Sequence, residues 1–178
     1  MKYSFLIVLF LIFKKSDAQN IAWQNITEAR YNLSAVLPGT NFTKVDTLDL
    51  LMYSSLTSDS LVGAQLFVYN NYSLGGNQEL ADYMKQNSQT DTLKTIARFM
   101  LAQANGELIY FKIWNDTPLI KTMDIGIRYE NMNTYILNFT RFVVRNKRLV
   151  ILNVFGQESF ANTIVQARDQ CNNSLICH

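Results

Sequence analysis

Alternation of apolar and polar side chains dominates this chain. Met123, Ile125, Ile127 and Tyr129 alternate with Thr122, Asp124, Gly126 and Arg128, the period of a half-buried strand. Tyr31, Leu33, Ala35 and Leu37 do the same against Arg30, Asn32 and Ser34, and Pro38-Gly39 then predicts a turn. Runs at 45–53, 62–69, 107–114, 134–144 and 149–155 bring the count to about seven strands. The helical period is clearest where Leu93, Ile96, Ala97, Met100, Leu101 and Ala104 fall on one stripe. Thr90 or Asp91 caps its start and Asn105-Gly106 stops it. A shorter helix follows Asn77 with Leu80, Ala81 and Met84, and a closing helix spans 159–169 with Phe160, Ala161, Ile164 and Val165 inward. Hairpin-connected strands with helices between them predict an α+β class, with an antiparallel sheet of about seven strands flanked by helices.

One stretch, Phe139 to Leu152 (FTRFVVRNKRLVIL), sets four cations among bulky apolar residues. A tight turn at Asn146-Lys147, where Asn tolerates positive φ, fixes a register. A four-residue loop, Arg145 to Arg148, is the competing turn. In the tight register Val144 faces Leu149 and Phe142 faces Ile151 on one side. On the other side Val143 faces Val150, Arg145 faces Arg148 and Arg141 faces Leu152. Arg145, Lys147 and Arg148 are then expected at a solvated tip. Arg141 lies along the strand, where its stem covers apolar surface or its head meets a carboxylate.

The order of elements resembles the PsbP-like α-β-α sandwich. The residues behind the resemblance are Ala35-Val36-Leu37-Pro38-Gly39, Asp124-Ile125-Gly126-Ile127, Arg141-Phe142 with Leu149-Val150-Ile151-Leu152, and the last helix. They extend over most of the chain as a pattern of elements. The resemblance implies a non-enzymatic binding or assembly role and supplies no site residues.

The ends bear on compartment and charge. Lys2, the apolar run Phe5 to Phe13, and Ser16 and Ala18 at −3 and −1 form an export signal over residues 1–18, cleaved after Ala18. Nine apolar residues are too few for a span, which takes about 20, so no membrane span is expected after cleavage. The chain has 16 basic and 14 acidic residues; without Lys2, Lys14, Lys15 and Asp17 each count is 13. A neutral domain lacks the field of a nucleic-acid binder. One domain is expected over 22–169, then a tail over 170–178. The two cysteines, Cys171 and Cys177, predict a disulfide loop in an exported protein. A metal tail of both thiolates and His178 leaves zinc a ligand short. Seven Asn-X-Ser/Thr sequons, at Asn25, Asn32, Asn41, Asn71, Asn115, Asn138 and Asn172, exceed chance placement and fit a glycosylated secreted protein. Asn32 and Asn138 fall in expected strands, and the short signal favours a bacterial periplasmic or secreted chain.

Chemistry is sparse. The one histidine is terminal His178, which leaves a Ser or Cys nucleophile without a positioned base. No cluster has metal-ligand spacing, and no cofactor is expected. Leu74-Gly75-Gly76-Asn77 lacks phosphate-loop spacing and reads as a turn. The leading expectation is an exported, non-enzymatic binding or assembly module for an unknown protein or small ligand, with Arg141, Arg128 and Asp124 as binding candidates. One alternative is a carboxylate-dependent hydrolase of a polar substrate such as a glycan, using Asp46 with Asp49, or Glu107 with Asp124. Another is a carrier of a small apolar ligand in a cavity lined by Phe111, Ile113, Ile125 and Phe142.

Overall fold

The structure is a computed structural model describing residues 21–70, 94–95, 97–98, 101–102, 105–114, 120–145 and 148–177. Its strands are β1 (Trp23–Glu28), β2 (Leu33–Pro38), β3 (Asn41–Asp46), β4 (Leu50–Leu56), β5 (Val62–Asn70), β6 (Glu107–Trp114), β7 (Ile120–Asn131), β8 (Thr134–Arg145), β9 (Arg148–Gln157) and β10 (Ile176–Cys177). Seven form one antiparallel sheet in the order β3-β4-β5-β9-β8-β7-β6, and β1-β2-β10 form a second. The α+β class and the seven-stranded antiparallel sheet agree with the alternation.

The large sheet is buried on both faces, because its central strands carry apolar side chains at odd and even positions alike. On one face Met123, Ile125, Ile127, Phe142, Val144 and Leu149 pack with helical Ala97 and Leu101. On the other, Leu66, Val68, Val143, Val150, Leu152 and Val154 pack with Leu33, Ala35 and Leu37 of β2 and with Ile164, Ala167 and Cys171. The last three come from the C-terminal helix (Ala161–Ser174), which follows a 3-10 turn at Glu158–Phe160. The helix therefore runs past residue 169, and the expected tail is its last turn plus edge strand β10. Asn105 adopts φ +45° just before Gly106, as a helix stop requires. The helix expected after Asn77 and the Leu74–Asn77 turn lie outside the described residues.

The β8–β9 register is the expected one, from Arg141 opposite Leu152 to Arg145 opposite Arg148, and leaves two residues, 146 and 147, between the strands. The N-terminal region differs. The run expected as one strand from Arg30 is a 3-10 turn, Ala29–Tyr31, followed by Asn32 at φ 48° and only then β2. β2 does not return into β3. It pairs with β1, Ile26 opposite Ala35, and with β10. The run 45–53 is cut by a turn in which Thr47 Oγ1 accepts from the Leu50 N–H at 3.1 Å. Asn32 thus stands exposed in a turn rather than in a strand.

A polar cluster ties β1 to the β3–β4 edge. Glu28 Oε1 accepts from Lys44 Nζ at 2.6 Å and from the Tyr53 hydroxyl. Burial pushes the Glu28 carboxyl up, but the bonds from Lys44 and Tyr53 and the Lys44 charge outweigh it and hold it below its usual value of 4.5. A depressed folded-state value means the stabilisation is complete above the unfolded value and is lost as pH falls through the folded one. The melting-temperature advantage of the native chain over Glu28→Gln is accordingly expected to be positive at neutral pH and to shrink below pH 4.5. An advantage that grows in acid would contradict the cluster.

Candidate functional site

Arg141 meets a carboxylate. β7 and β8 set Asp124 directly opposite it. Its Nε donates to Asp124 Oδ1 and its Nη2 to Asp124 Oδ2, both at 2.7 Å. Trp114 Nε1 donates to Oδ2 at 3.0 Å, and Arg141 Nη1 donates to the Asn172 carbonyl of the C-terminal helix at 3.0 Å. Asp124 is 7% exposed. Lys112 Nζ lies 3.4 Å from the Trp114 ring centroid, close enough for a cation–π contact. Both carboxylate oxygens and all three guanidinium nitrogens have partners. This is a bidentate buried pair that joins β6, β7, β8 and the helix, with no oxygen left over for general-base work.

Arg128 is likewise satisfied. It is bidentate to Glu158 at 2.8 and 3.0 Å, lies 3.7 Å from Glu107 and stacks 3.5 Å from the Tyr135 ring centroid. It pins the end of β9 to β7 and is separate from the Arg141 pair. Glu107 opposes Arg128 while Lys112 opposes Asp124, so Glu107 and Asp124 do not form a facing pair of acids. Asp46 pairs with Lys44 and Arg30 at 3.7 and 3.8 Å, and Asp49 is exposed. Of the residues expected to line an apolar cavity, Ile125 and Phe142 are core, Ile113 packs partly against them, and Phe111 is exposed.

A cleft appears where the sequence predicted a wet hairpin tip. About 230 Å³ of space is lined by Arg30, Tyr31, Arg145, Arg148, Val150 and Cys177, among others. Arg145 and Arg148 are half-buried and fold back on the body of the protein. Arg145 Nη1 donates to the Cys177 carbonyl, and Arg148 Nη1 donates to the Tyr31 carbonyl at 2.8 Å. Burial of the arginine stems over the β2–β10 sheet outweighs full solvation of their heads. The Arg30 and Arg148 guanidiniums each sit 5.2 Å from the Tyr31 ring centroid. Tyr31 is 3% exposed, and its hydroxyl and Arg145 Nε are buried with no hydrogen-bond partner. Sequence reasoning missed this cleft because its two halves are far apart in the chain: Arg148 reaches back 117 residues to Tyr31. The one available signal was the cross-strand Arg145–Arg148 pair in the register. Lys147 lies outside the described residues.

The expected Cys171–Cys177 disulfide is not seen in the structure. Both are free thiols and are not near each other. Cys171 is buried in the core from the helix, while Cys177 sits in β10 opposite Leu33 and is partly buried against that core. Burial pushes the Cys171 thiol up to about 12 and that of Cys177 to about 11, the latter against the pull of Arg145 and Arg148. Both are protonated near neutrality and poor nucleophiles. Among the described residues no group of three His, Cys, Asp or Glu is placed to hold a metal, and no helix is long and apolar enough to cross a membrane.

No family model matches the chain, and no curated protein matches it in sequence. Solved structures do. The cyanobacterial PsbP protein of Synechocystis aligns with a TM-score of 0.55 at 11% identity, over 91% of this chain and 96% of its own. A Pseudomonas aeruginosa protein of unknown function aligns at 0.48 and 11% identity over 88% and 97%. LpqN, described as involved in cell envelope biogenesis of Mycobacterium tuberculosis, aligns at 0.37 and 10% identity over 86% and 76%. With the first of these aligned over nearly the whole chain, the chain has a PsbP-like α+β fold.

Proposed function

We propose that this chain is an exported, non-enzymatic binding module that takes its ligand, or a group of its partner, in the cleft between the Ala29–Tyr31 turn and the β8–β9 hairpin. One observation carries the reading. Tyr31 and Arg145, which line the cleft, each carry a buried donor without an acceptor, the Tyr31 hydroxyl and Arg145 Nε, whereas the polar groups of Arg141, Asp124 and Arg128 are used within the fold. An unsatisfied buried polar group costs about 1–3 kcal/mol, and a ligand acceptor offsets that cost. Among the described residues the cleft is lined by no carboxylate and no imidazole, and its one thiol is protonated, which supports recognition as its chemistry. The signal-like first 18 residues support export, and the PsbP-like fold is compatible with an accessory role. Expressed with its own N terminus in a secreting host, the chain is expected outside the cytoplasm with Gln19 as its first residue. In a ligand screen on that product, thermal upshifts should map to the cleft and vanish in Arg148→Gln. Reproducible turnover of a substrate, or binding that ignores the cleft, would sink the reading.

A further inference from the structure

We infer that the cleft is a site for a phosphomonoester group, clamped by Arg145 and Arg148 across the hairpin and bonded by the Tyr31 hydroxyl, with Arg30 at the rim. This rests on the cleft being the binding place.

The first argument is charge. Arg145 and Arg148 are directly opposed across β8 and β9, and like charges in that position repel. Among the described residues no Asp or Glu lines the cleft. Asp46 meets the rim residue Arg30 at 3.8 Å and Lys44 at 3.7 Å, at exposed positions. Backbone carbonyls hold one nitrogen of each clamp arginine without cancelling its charge. The pair is thereby preorganised as two positive forks with no counter-ion among the described residues, and an anion between them turns repulsion into attraction.

The second argument is donor count. Tyr31 Oη and Arg145 Nε need acceptors, and the guanidiniums of Arg148 and Arg30 bring further N–H groups. A carboxylate offers two oxygens and one charge. A phosphomonoester offers three terminal oxygens and a charge of about −1.5 to −2 near neutrality, and guanidinium forks match its geometry.

The third argument is size. At about 230 Å³ the space falls below the roughly 300–1,000 Å³ of sites for larger ligands. It suits a phosphate with a short organic stub resting on Leu33 and Val150. The phosphate can belong to a soluble metabolite or to the headgroup of a lipid, and the cleft recognises the chemistry they share.

The test uses the full chain as secreted, with inorganic phosphate, glycerol phosphate, acetate, and vesicles of phosphatidylcholine with or without phosphatidic acid. Binding is read by amide chemical shifts and calorimetry. Inorganic phosphate and glycerol phosphate are expected to shift Tyr31, Leu33, Arg145, Arg148 and Val150, with acetate much weaker. Arg148→Gln should weaken phosphate binding by about tenfold to a hundredfold, from the loss of a charge-assisted contact. Tyr31→Phe is the control against misfolding. It removes an orphan hydroxyl, so the unliganded protein should melt no lower than the native chain while phosphate binding falls. Preference for phosphatidic acid vesicles over glycerol phosphate assigns the lipid source, and the reverse assigns the soluble one. Phosphate binding that is unchanged in both variants, or absent, overturns the inference. If acetate alone binds in the cleft, the phosphate assignment fails and the binding module stands. If no probe and no ligand of the screen perturbs the cleft, both fail.

Discussion

Asp124→Ala is expected to lower the unfolding free energy by about 3–5 kcal/mol, the range for breaking a buried ion pair from one side. The size follows from what is left behind. Arg141 would keep a charge on the sheet face beneath the C-terminal helix with two of its three nitrogens unpartnered, and Trp114 would lose its acceptor. The residue also acts at a junction, because Arg141 carries the connection onward to the Asn172 carbonyl. Asp124→Leu combined with Arg141→Met should recover most of the loss, since apolar replacement of a whole buried pair is often neutral or stabilising. Urea unfolding followed by tryptophan fluorescence measures both. A loss below about 1 kcal/mol for Asp124→Ala would place the pair among weakly coupled surface bridges. The same variant should leave phosphate binding in the cleft intact wherever the protein is folded, which separates a structural pair from a binding site.

Gly39→Ala is expected to cost on the order of 4 kcal/mol, combining backbone strain with overpacking. Gly39 has φ +100°, outside the range of L side chains, and a Cβ there would lie 2.2 Å from the Leu56 carbonyl oxygen and 2.6 Å from its carbon. Both are backbone atoms of β4 and cannot rotate aside. The glycine N–H also donates to the Ala22 carbonyl at 2.7 Å. The position therefore joins the end of β2, the approach to β1 and the β4 edge. Gly63→Ala offers a contrast. The three atoms nearest its Cβ would all belong to the ring of Phe155, the first at 2.5 Å, a partly exposed side chain rather than backbone, so its cost should be smaller. Equal losses at the two positions in chemical denaturation would contradict this account.

Both variants act on features that were only partly legible in the sequence. Alternation is local, so the runs expected at 62–69, 107–114, 122–129, 134–144 and 149–155 each fall within an observed strand, and the pairing of Arg141 through Arg145 with Arg148 through Leu152 followed from period and turn length. The N terminus resisted the same treatment. In β1 only Ile26 is fully buried, which leaves no alternation to read. Asn32 in the left-handed region then breaks the run from Arg30 into a turn and a strand. A short hydroxyl-capped turn at Thr47 divided another.

The candidate sites divide along the same line. Arg141 stood out in the sequence because the register moved it off the hairpin tip, and it does meet Asp124, but as a fully satisfied structural pair. The tip cations looked solvated because a hairpin considered alone has nothing beside it to cover them. In the folded chain the Ala29–Tyr31 turn supplies the Tyr31 carbonyl and β10 the Cys177 carbonyl, and tip and turn become the walls of one cleft. The cysteines repeat the lesson, for closeness in sequence suggested a bridge that helix and strand geometry do not form. The sequence by itself determined the class, most of the large sheet and its register, because these depend on side-chain period along neighbouring segments. Only the tertiary structure decided which charges are paired and which are left facing an open cleft, because that depends on contacts between separate elements, from 17 positions apart for Arg141 and Asp124 to 117 for Arg148 and Tyr31.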